Sequence, residues 1–500
     1  MVNMKTTATT AVTRKPSVVI IGAGFGGLGM ALELQRAGIE SYTILEKAAD
    51  LGGVWRENDY PGAACDVPSM LYSWSFEQKS DWPRRFSQQR DIHEYMRTVA
   101  EKHGLSAKIR FGAEVTDAEF DEQQGIWQIR TADGTTLTAD VLIPAVGQLS
   151  RPALPDIAGI DTFAGASFHS AQWDHSVDLA GKRVACIGTG ASATQYIPAI
   201  QPKVAQLTVF QRSAGWVLPK FDTRYSAVHH ALFKYLAPIR WAERFAFWAS
   251  FEVLALGLHD VPVIMKPVVA LANRLRGQQV PVVELRDKLT PDYQPGGKRA
   301  LFSNEYFPAL GQPNVAVETT GIEAVTPTGI RTRDGAQHDV DVIIYGTGFK
   351  ATEFLAPMNI YGLRGRKLAD EWSPEGARAY LGMSVPGFPN LFLMYGPNTN
   401  VAPGSVIYML ESQARYIRQV VAYLTGRSGH FLSVRPAAEQ SWDDWLQHRL
   451  QGTPWHSCSS WYRNVSGRIT NNWPGPTVLY RWKTRRFESS DYDEGVAPQR

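Results

Sequence analysis

Two copies of one pattern, a β-branched strand, a glycine-rich turn, a helix-like segment and a second strand, predict an α/β fold with two Rossmann-like dinucleotide-binding domains. A third observation adds a helical insertion: Trp241–Leu258 is apolar, with Phe245, Phe247, Trp248 and Phe251 recurring near helical spacing. The 500 residues suit two or three domains at about 100 to 200 residues each.

In the first unit, Ser17–Ile21 runs directly into Gly22-Ala-Gly24-Phe25-Gly-Gly27 and then a helix-like Leu28–Ala37. Such a turn needs glycine for the bend, for backbone approach to a pyrophosphate and for helix-on-strand packing, and the phosphate rests on unpaired N–H groups at the helix start. A second strand, Ser41–Leu45, ends in Glu46, nineteen residues past Gly27. A carboxylate there accepts hydrogen bonds from an adenosine ribose. A lone glycine motif is weak evidence; strand, turn, helix, strand and acid in order make a non-binding turn improbable.

The second unit repeats the pattern with one charge reversed. Lys182–Ile187 leads into Gly188-Thr189-Gly190-Ala191-Ser192-Ala193, and a strand Gln206–Phe210 follows. Nineteen residues past Ala193 stands Arg212, with Ser213 beside it. A guanidinium grips a 2′-phosphate by bidentate hydrogen bonds and has no comparable hold on a free ribose diol. NADP is therefore the expected ligand rather than NAD. A solvated surface arginine is the ordinary alternative; the place at the end of this strand weighs against it.

Two dinucleotide units in one chain call for two dinucleotides, and the ordinary pairing is a nicotinamide reductant with a tightly held flavin. That leaves a flavin reductase, a disulfide reductase or a monooxygenase. Of the three cysteines, Cys65, Cys186 and Cys458, none has a close partner in sequence. This disfavours a redox disulfide, a disulfide framework and a cysteine zinc site, and makes a reducing cytoplasm the default.

Between the units lies Phe163-Ala-Gly165-Ala-Ser-Phe-His169-Ser-Ala-Gln-Trp173-Asp174. It resembles the FxGxxxHxxxW pattern, followed by Pro or Asp, of Baeyer–Villiger monooxygenases within the class B flavoprotein monooxygenases. The heteroatom-oxidising relatives have a different aromatic at the Trp position. Alone, His169 would more often be a core histidine than a base, and the resemblance implies that this segment couples domain position to cofactor state.

The resemblance spans nearly the whole chain. It implies FAD and NADPH as cofactors, with O2 and a small apolar ketone as substrates. Gly53, Val54, Trp55, Asp66, Ser69 and Tyr72 match the family's flavin-covering loop, and Val115, in Phe111–Phe120, matches the strand whose backbone meets the adenine. With Gly22, Gly24, Phe25, Gly27 and Glu46 they make the expected FAD set. Gly188–Ala193, Gln195, Arg212, Ser213 and Lys298 make the NADP set. Ser460–Tyr462 through Trp473–Gly475 is similar to a tail seen in part of the family.

In such enzymes reduced flavin and oxygen give a C4a-peroxide anion, which attacks the carbonyl carbon and yields an ester or lactone. A fixed cation beside it supplies the stabilisation it needs, and an arginine stays charged at working pH. Arg299, in Gly296-Gly-Lys298-Arg299-Ala, matches the family's essential arginine, and Asp66 the aspartate that pairs with it. Without the resemblance, Asp66 would read as a turn residue or cap and Lys298-Arg299 as a solvated loop. The rival readings are an N- or S-oxygenating flavin monooxygenase and an uncoupled NADPH oxidase.

A net charge of +3 is no argument for nucleic acid. Trp241–Leu258 carries Glu243, Arg244 and Glu252 and falls short of an uncharged bilayer span, so a helix packed on the body along one broad face is expected. The expected organisation is a disordered lead 1–16, an FAD domain in two parts (17–149 and 341–482), an NADP domain 150–340 with an insertion at about 226–275, and a disordered tail 483–500. Asp341–Phe349 is expected to return the chain to the FAD domain, and loops around Pro386–Ser405 with the insertion to line the substrate pocket. The particular ketone and the oligomeric state are left open.

Overall fold

The computed structural model describes residues 15–373, 375–457, 462–464 and 466–498. Most of the expected N-terminal lead, together with Cys458, Ser460 and Trp461, lies outside the described residues.

The first unit is a parallel sheet in the order Ile109–Arg110, Tyr42–Leu45, Val18–Ile21, Val141–Pro144. Every residue of Val18–Ile21 is buried. That is the reason this strand is an unbroken apolar run: a parallel sheet is covered on both faces. Helix Phe25–Arg36 lies on it, and its start has no capping side chain and no acid in its first turn. Val115–Asp121, Ile126–Thr131 and Thr136–Ala139 form an antiparallel meander, and Asn359–Tyr361 from the returning chain adds a parallel edge.

The second unit is a five-stranded parallel sheet: Val315–Glu318, Gln206–Phe210, Arg183–Ile187, Val342–Tyr345, Ala166–His169. Here the structure moves the expected boundary. Val342–Tyr345 does not begin the return; it sits inside the second sheet, because its four buried apolar residues need cover from both sides. The crossing comes just after it and runs beside the outward crossing, with Ala153 N–H donating to Gly348 O (2.9 Å) and Lys350 N–H to Arg151 O (2.9 Å).

The insertion is built from helices Ala227–Tyr235, Ala237–His259 and Met265–Gln279. The helix over Trp241–Leu258 is present with one broad side against the body, where Phe247, Trp248 and Phe251 pack; two details differ from expectation. Phe245 is 63% exposed, whereas Arg244 and Glu252 are buried. Both charges have partners. The Arg244 guanidinium donates to the carbonyls of Met70, Leu71 and Ser73. The Glu252 carboxylate accepts from the N–H groups of Thr477 and Val478 (each 3.1 Å) and from the Thr477 hydroxyl, at the start of helix Thr477–Lys483. A carboxylate at a helix start satisfies otherwise orphaned donors.

The tail expected to be disordered is folded from 483 to 498. Tyr492–Val496 pairs antiparallel with His430–Val434. Tyr492 is buried, its hydroxyl near those of Ser384 (3.0 Å) and Tyr416 (3.1 Å). Asp493 and Glu494 meet Arg435 and His430. One buried ring and main-chain pairing hold the strand, so no apolar period was needed.

Replacing Glu252 with Ala leaves the buried N–H and hydroxyl of Thr477 and the half-buried N–H of Val478 without this acceptor. The expected loss is about 2–3 kcal/mol in urea denaturation, with a smaller loss for Glu252→Gln, which keeps one oxygen. Equal stability of all three proteins would contradict this role.

Candidate active site

The first turn is closed by backbone approach. Gly22 has φ +103°, and a Cβ on Gly27 would stand 1.9 Å from Gly22 O, so neither position accepts a side chain. Gly24 faces Gly53, where a Cβ would meet the Gly24 Cα at 3.2 Å. Phe25 anchors the turn against Tyr72 and Trp74. Trp55 Nε1–H donates to the Tyr72 hydroxyl (3.1 Å) just beyond the short helix that begins at Val54. Glu46 is buried beside the turn, one oxygen accepting from Ala23 N–H (2.8 Å) and the other from Ala48 N–H (3.0 Å). Val115 opens its strand close by, since Ala113 N–H donates to Glu46 O.

The second turn is built alike. Gly188 has φ +109°, and a Cβ there would lie 2.3 Å from Gly346 O, whereas the space over Gly190 is open. Ala193 is fully buried in the helix Ala191–Ile200. The Thr189 hydroxyl donates to Ser213 O (3.2 Å), and Lys298 Nζ donates to the Ser213 hydroxyl (2.6 Å). Arg212 is exposed beside them. An exposed guanidinium, a hydroxyl and an ammonium gathered at the end of the second strand fit a 2′-phosphate.

Gln195 and Ser192 face the first unit. Gln195 Oε1 accepts from the Tyr60 hydroxyl (3.0 Å) and Ala64 N–H (3.2 Å), and its Nε2–H donates to Ala64 O (2.9 Å). Gly62 packs on the same helix, where a Cβ would lie 2.6 Å from Gln195 O. The amide of Gln195, expected among the NADP residues, thus joins the loop around Tyr60–Ala64 to the second unit.

Asp66 and Arg299 meet across 233 residues of sequence. The guanidinium donates from Nε to Asp66 Oδ2 (3.0 Å) and from Nη2 to both oxygens (2.9 and 2.8 Å). The carboxylate beside it raises the arginine's pKa further above its ordinary value. Both residues line a cavity that opens to solvent. Phe251, Leu254 and Leu258 of the insertion, with Ala402–Gly404, supply apolar walls as expected. Trp216, Leu218 and Phe302 also line it; they were missed because each is an apolar residue in or beside a two-residue strand, indistinguishable in sequence from core.

The marker segment between the units is an edge of the second sheet. Ala166–His169 pairs with Val342–Tyr345, and a Cβ on Gly165 would lie 2.5 Å from Asp341 O. Phe163 packs under this sheet. Trp173 packs on Phe168 and Tyr196. Asp174 caps the next turn, accepting from Ser176 N–H and its hydroxyl. His169 is buried, and its Nδ1 accepts from Ala171 N–H; burial lowers its pKa and favours the neutral ring. Lys220, which no motif marks, is drawn by burial below its ordinary pKa near Cys65 and Asp66.

The pyridine nucleotide-disulphide oxidoreductase family pattern matches residues 19–231. A Baeyer–Villiger monooxygenase of Streptomyces coelicolor is 44% identical over 478 residues, covering 95% of this chain and 92% of that protein. A steroid monooxygenase bound to NADP superposes with TM-score 0.83 at 31% identity, covering 94% of this chain and 97% of that one. OTEMO in complex with FAD and NADP superposes with TM-score 0.85 at 28% identity, covering 96% and 100%.

Fold and site together define a two-dinucleotide flavoprotein monooxygenase. Within that class, the chain belongs to the Baeyer–Villiger monooxygenase family.

No redox disulfide forms between the described cysteines. Cys65 lies in the first unit and Cys186 inside a strand of the second, both as free thiols. Burial pushes both thiols up to about 12, with Asp66 adding to the effect at Cys65. A thiol so raised stays protonated and unreactive at neutral pH. Alkylation at pH 8 followed by peptide mapping is expected to spare Cys65 and Cys186 in the folded protein and to label both in urea.

Proposed function

We propose that the chain inserts one oxygen of O2 beside the carbonyl of a small apolar ketone to give an ester or lactone, with NADPH as reductant. The observation that carries this reading is the bidentate Asp66–Arg299 pair lining an apolar cavity bordered by both dinucleotide units. FAD, once bound and reduced, supplies the oxygen-activating chemistry. The residues fit it: Gly22, Gly24, Gly27 and Gly53 would leave room for a pyrophosphate, Glu46, buried beside the turn, would hold its ribose, and Trp55, Tyr72 and Val115 lie near the same turn.

Arg299 is the catalytic cation. It holds negative charge that develops during oxygen transfer, and in an apolar enclosure that attraction is stronger than in water. Asp66 fixes the guanidinium plane with two parallel hydrogen bonds and so decides where that charge points. The apolar walls exclude water. Arg212, Ser213 and Lys298 hold the NADP 2′-phosphate, and Gly188–Ala193 its pyrophosphate. Phe163, Gly165, His169, Trp173 and Asp174 act by positioning, tying an edge strand of the NADP domain to the crossing between domains. We assign residues 17–149 and those after Phe349 to the FAD domain, the intervening residues to the NADP domain, and the protein to the cytoplasm.

The direct test mixes the FAD-loaded protein with NADPH and cyclic, aryl and aliphatic ketones in air and looks for lactone or ester by mass spectrometry. NADPH consumption that yields only hydrogen peroxide, or oxygen transfer only to sulfides and amines, would overturn the reading.

Arg299→Ala is expected to abolish ester formation while anaerobic flavin reduction by NADPH, followed by bleaching of the flavin absorbance, persists. Arg212→Ala removes a charge-assisted contact of about 1.5–3 kcal/mol, so kcat/KM for NADPH is expected to fall about tenfold to a hundredfold, with that for NADH nearly unchanged. A parallel fall for both coenzymes would exclude a 2′-phosphate role.

A further inference from the structure

The long insertion helix Ala237–His259 buries two charges among its apolar residues on one side and exposes apolar residues on the other. The side turned to the body buries Arg244 and Glu252 on partners of their own. The side turned to solvent carries Ala242, Phe245, Ala246, Val253 and Leu256, spaced three, four or seven residues apart and therefore on one face, with no charge among them. The apolar surface continues beyond the helix into Val261 and Val263 of the connecting turn and Leu271 of Met265–Gln279. Before it, Tyr235 is 75% exposed and Val228 68%. Exposed apolar side chains gathered on one segment in this number mark an interaction site.

Charge identifies the partner. Residues 224–282 hold seven Lys and Arg against three acids, Glu243, Glu252 and Asp260. Each acid is already engaged: Glu243 with Tyr225 and Arg85, Glu252 with Thr477 and Val478, Asp260 with Arg449. Arg224, Lys234, Lys266 and Arg274 of the same segment are exposed. A second copy docked face to face would set these cations against their copies, which costs binding energy. An anionic lipid surface offers acyl chains to the apolar side chains and headgroup charge to the cations. No described helix is long and apolar enough to cross a membrane, so contact of this kind lies in the plane of the interface.

We propose that the outer face of the insertion docks on an anionic lipid bilayer. The inner sides of the same helices, Phe251, Leu254 and Leu258 on one and Val268, Val269 and Ala272 on the other, wall the cavity that Arg299 lines. Docking therefore sets the cavity wall against the acyl layer where an apolar ketone concentrates, a consequence that rests on the substrate class proposed above. The docking itself does not.

The test sediments full-length, FAD-loaded protein with phosphatidylcholine vesicles with and without phosphatidylglycerol. Binding is expected to the anionic vesicles and to weaken as salt rises. Two variants change only exposed residues: Phe245→Ser with Val263→Ser, and Lys266→Glu with Arg274→Glu. Each is expected to weaken binding about tenfold or more, at roughly 1 kcal/mol per lysine or arginine near the surface and 0.8 kcal/mol per buried methylene. Turnover of a water-soluble ketone should be unchanged in both, which separates failure of docking from failure of the catalytic reading. Absence of binding to anionic vesicles, or binding indifferent to lipid charge and to both variants, overturns the proposal. So does a concentration-dependent dimer in light scattering that the Phe245→Ser, Val263→Ser protein loses, since that would assign the face to a second copy.

Discussion

The contact between Asp66 and Arg299 is what makes one site out of two nucleotide-binding units. The carboxylate comes from a loop of the first unit and the guanidinium from a loop of the second, and three hydrogen bonds of 2.8–3.0 Å join them. Removing either partner leaves the other with its charge uncompensated in a confined place, so each is needed to keep the other in position. The surrounding contacts serve the same join. Gln195 grips Tyr60 and Ala64, and Gly62 lies against the Gln195 backbone, so this loop of the first unit is fastened to the second unit's helix on one side and to Arg299 on the other.

That join explains why the segment between the units is an ordered strand rather than a loose linker. Ala166–His169 completes the edge of the second sheet, and the two chain crossings are bonded to each other through Arg151, Ala153, Gly348 and Lys350. A change in angle between the units must pass through this strand and this crossing. A buried, neutral His169 beside Phe349 suits a structural member of such a joint better than a group that exchanges protons with solvent.

The insertion shows how buried charge reshapes a helix. Arg244 finds three backbone carbonyls and Glu252 finds a helix start, so both turn inward beside Phe247, Trp248 and Phe251, while Phe245 is left outside. A buried ionised group is tolerated when its hydrogen bonds are complete, and each of these is supplied by a segment far away in sequence. The same rotation leaves one side of the helix pair to the cavity and the other to whatever covers it.

Local order was legible in the residues: the two glycine turns with their strands and helices, the acid at Glu46 against the base at Arg212, the marker from Phe163 to Asp174, and the matched pair Asp66 and Arg299. Each depends on steric or charge requirements that act within a few residues, or on a pattern carried whole by a resemblance. That Arg244 and Glu252 would be buried and Phe245 exposed was not legible, because the carbonyls and N–H groups that bury those charges belong to residues 70–73 and 477–478. The fold of the tail was hidden for a similar reason: Tyr492–Val496 has one buried ring, and its other stabilisation is main-chain pairing with His430–Val434. The sequence by itself determined the two nucleotide cradles and the chemistry of the residues at their ends. The tertiary structure decided which distant groups meet and which face of the insertion is left uncovered, because hydrogen-bond partners for buried charges are settled only when the whole chain is packed.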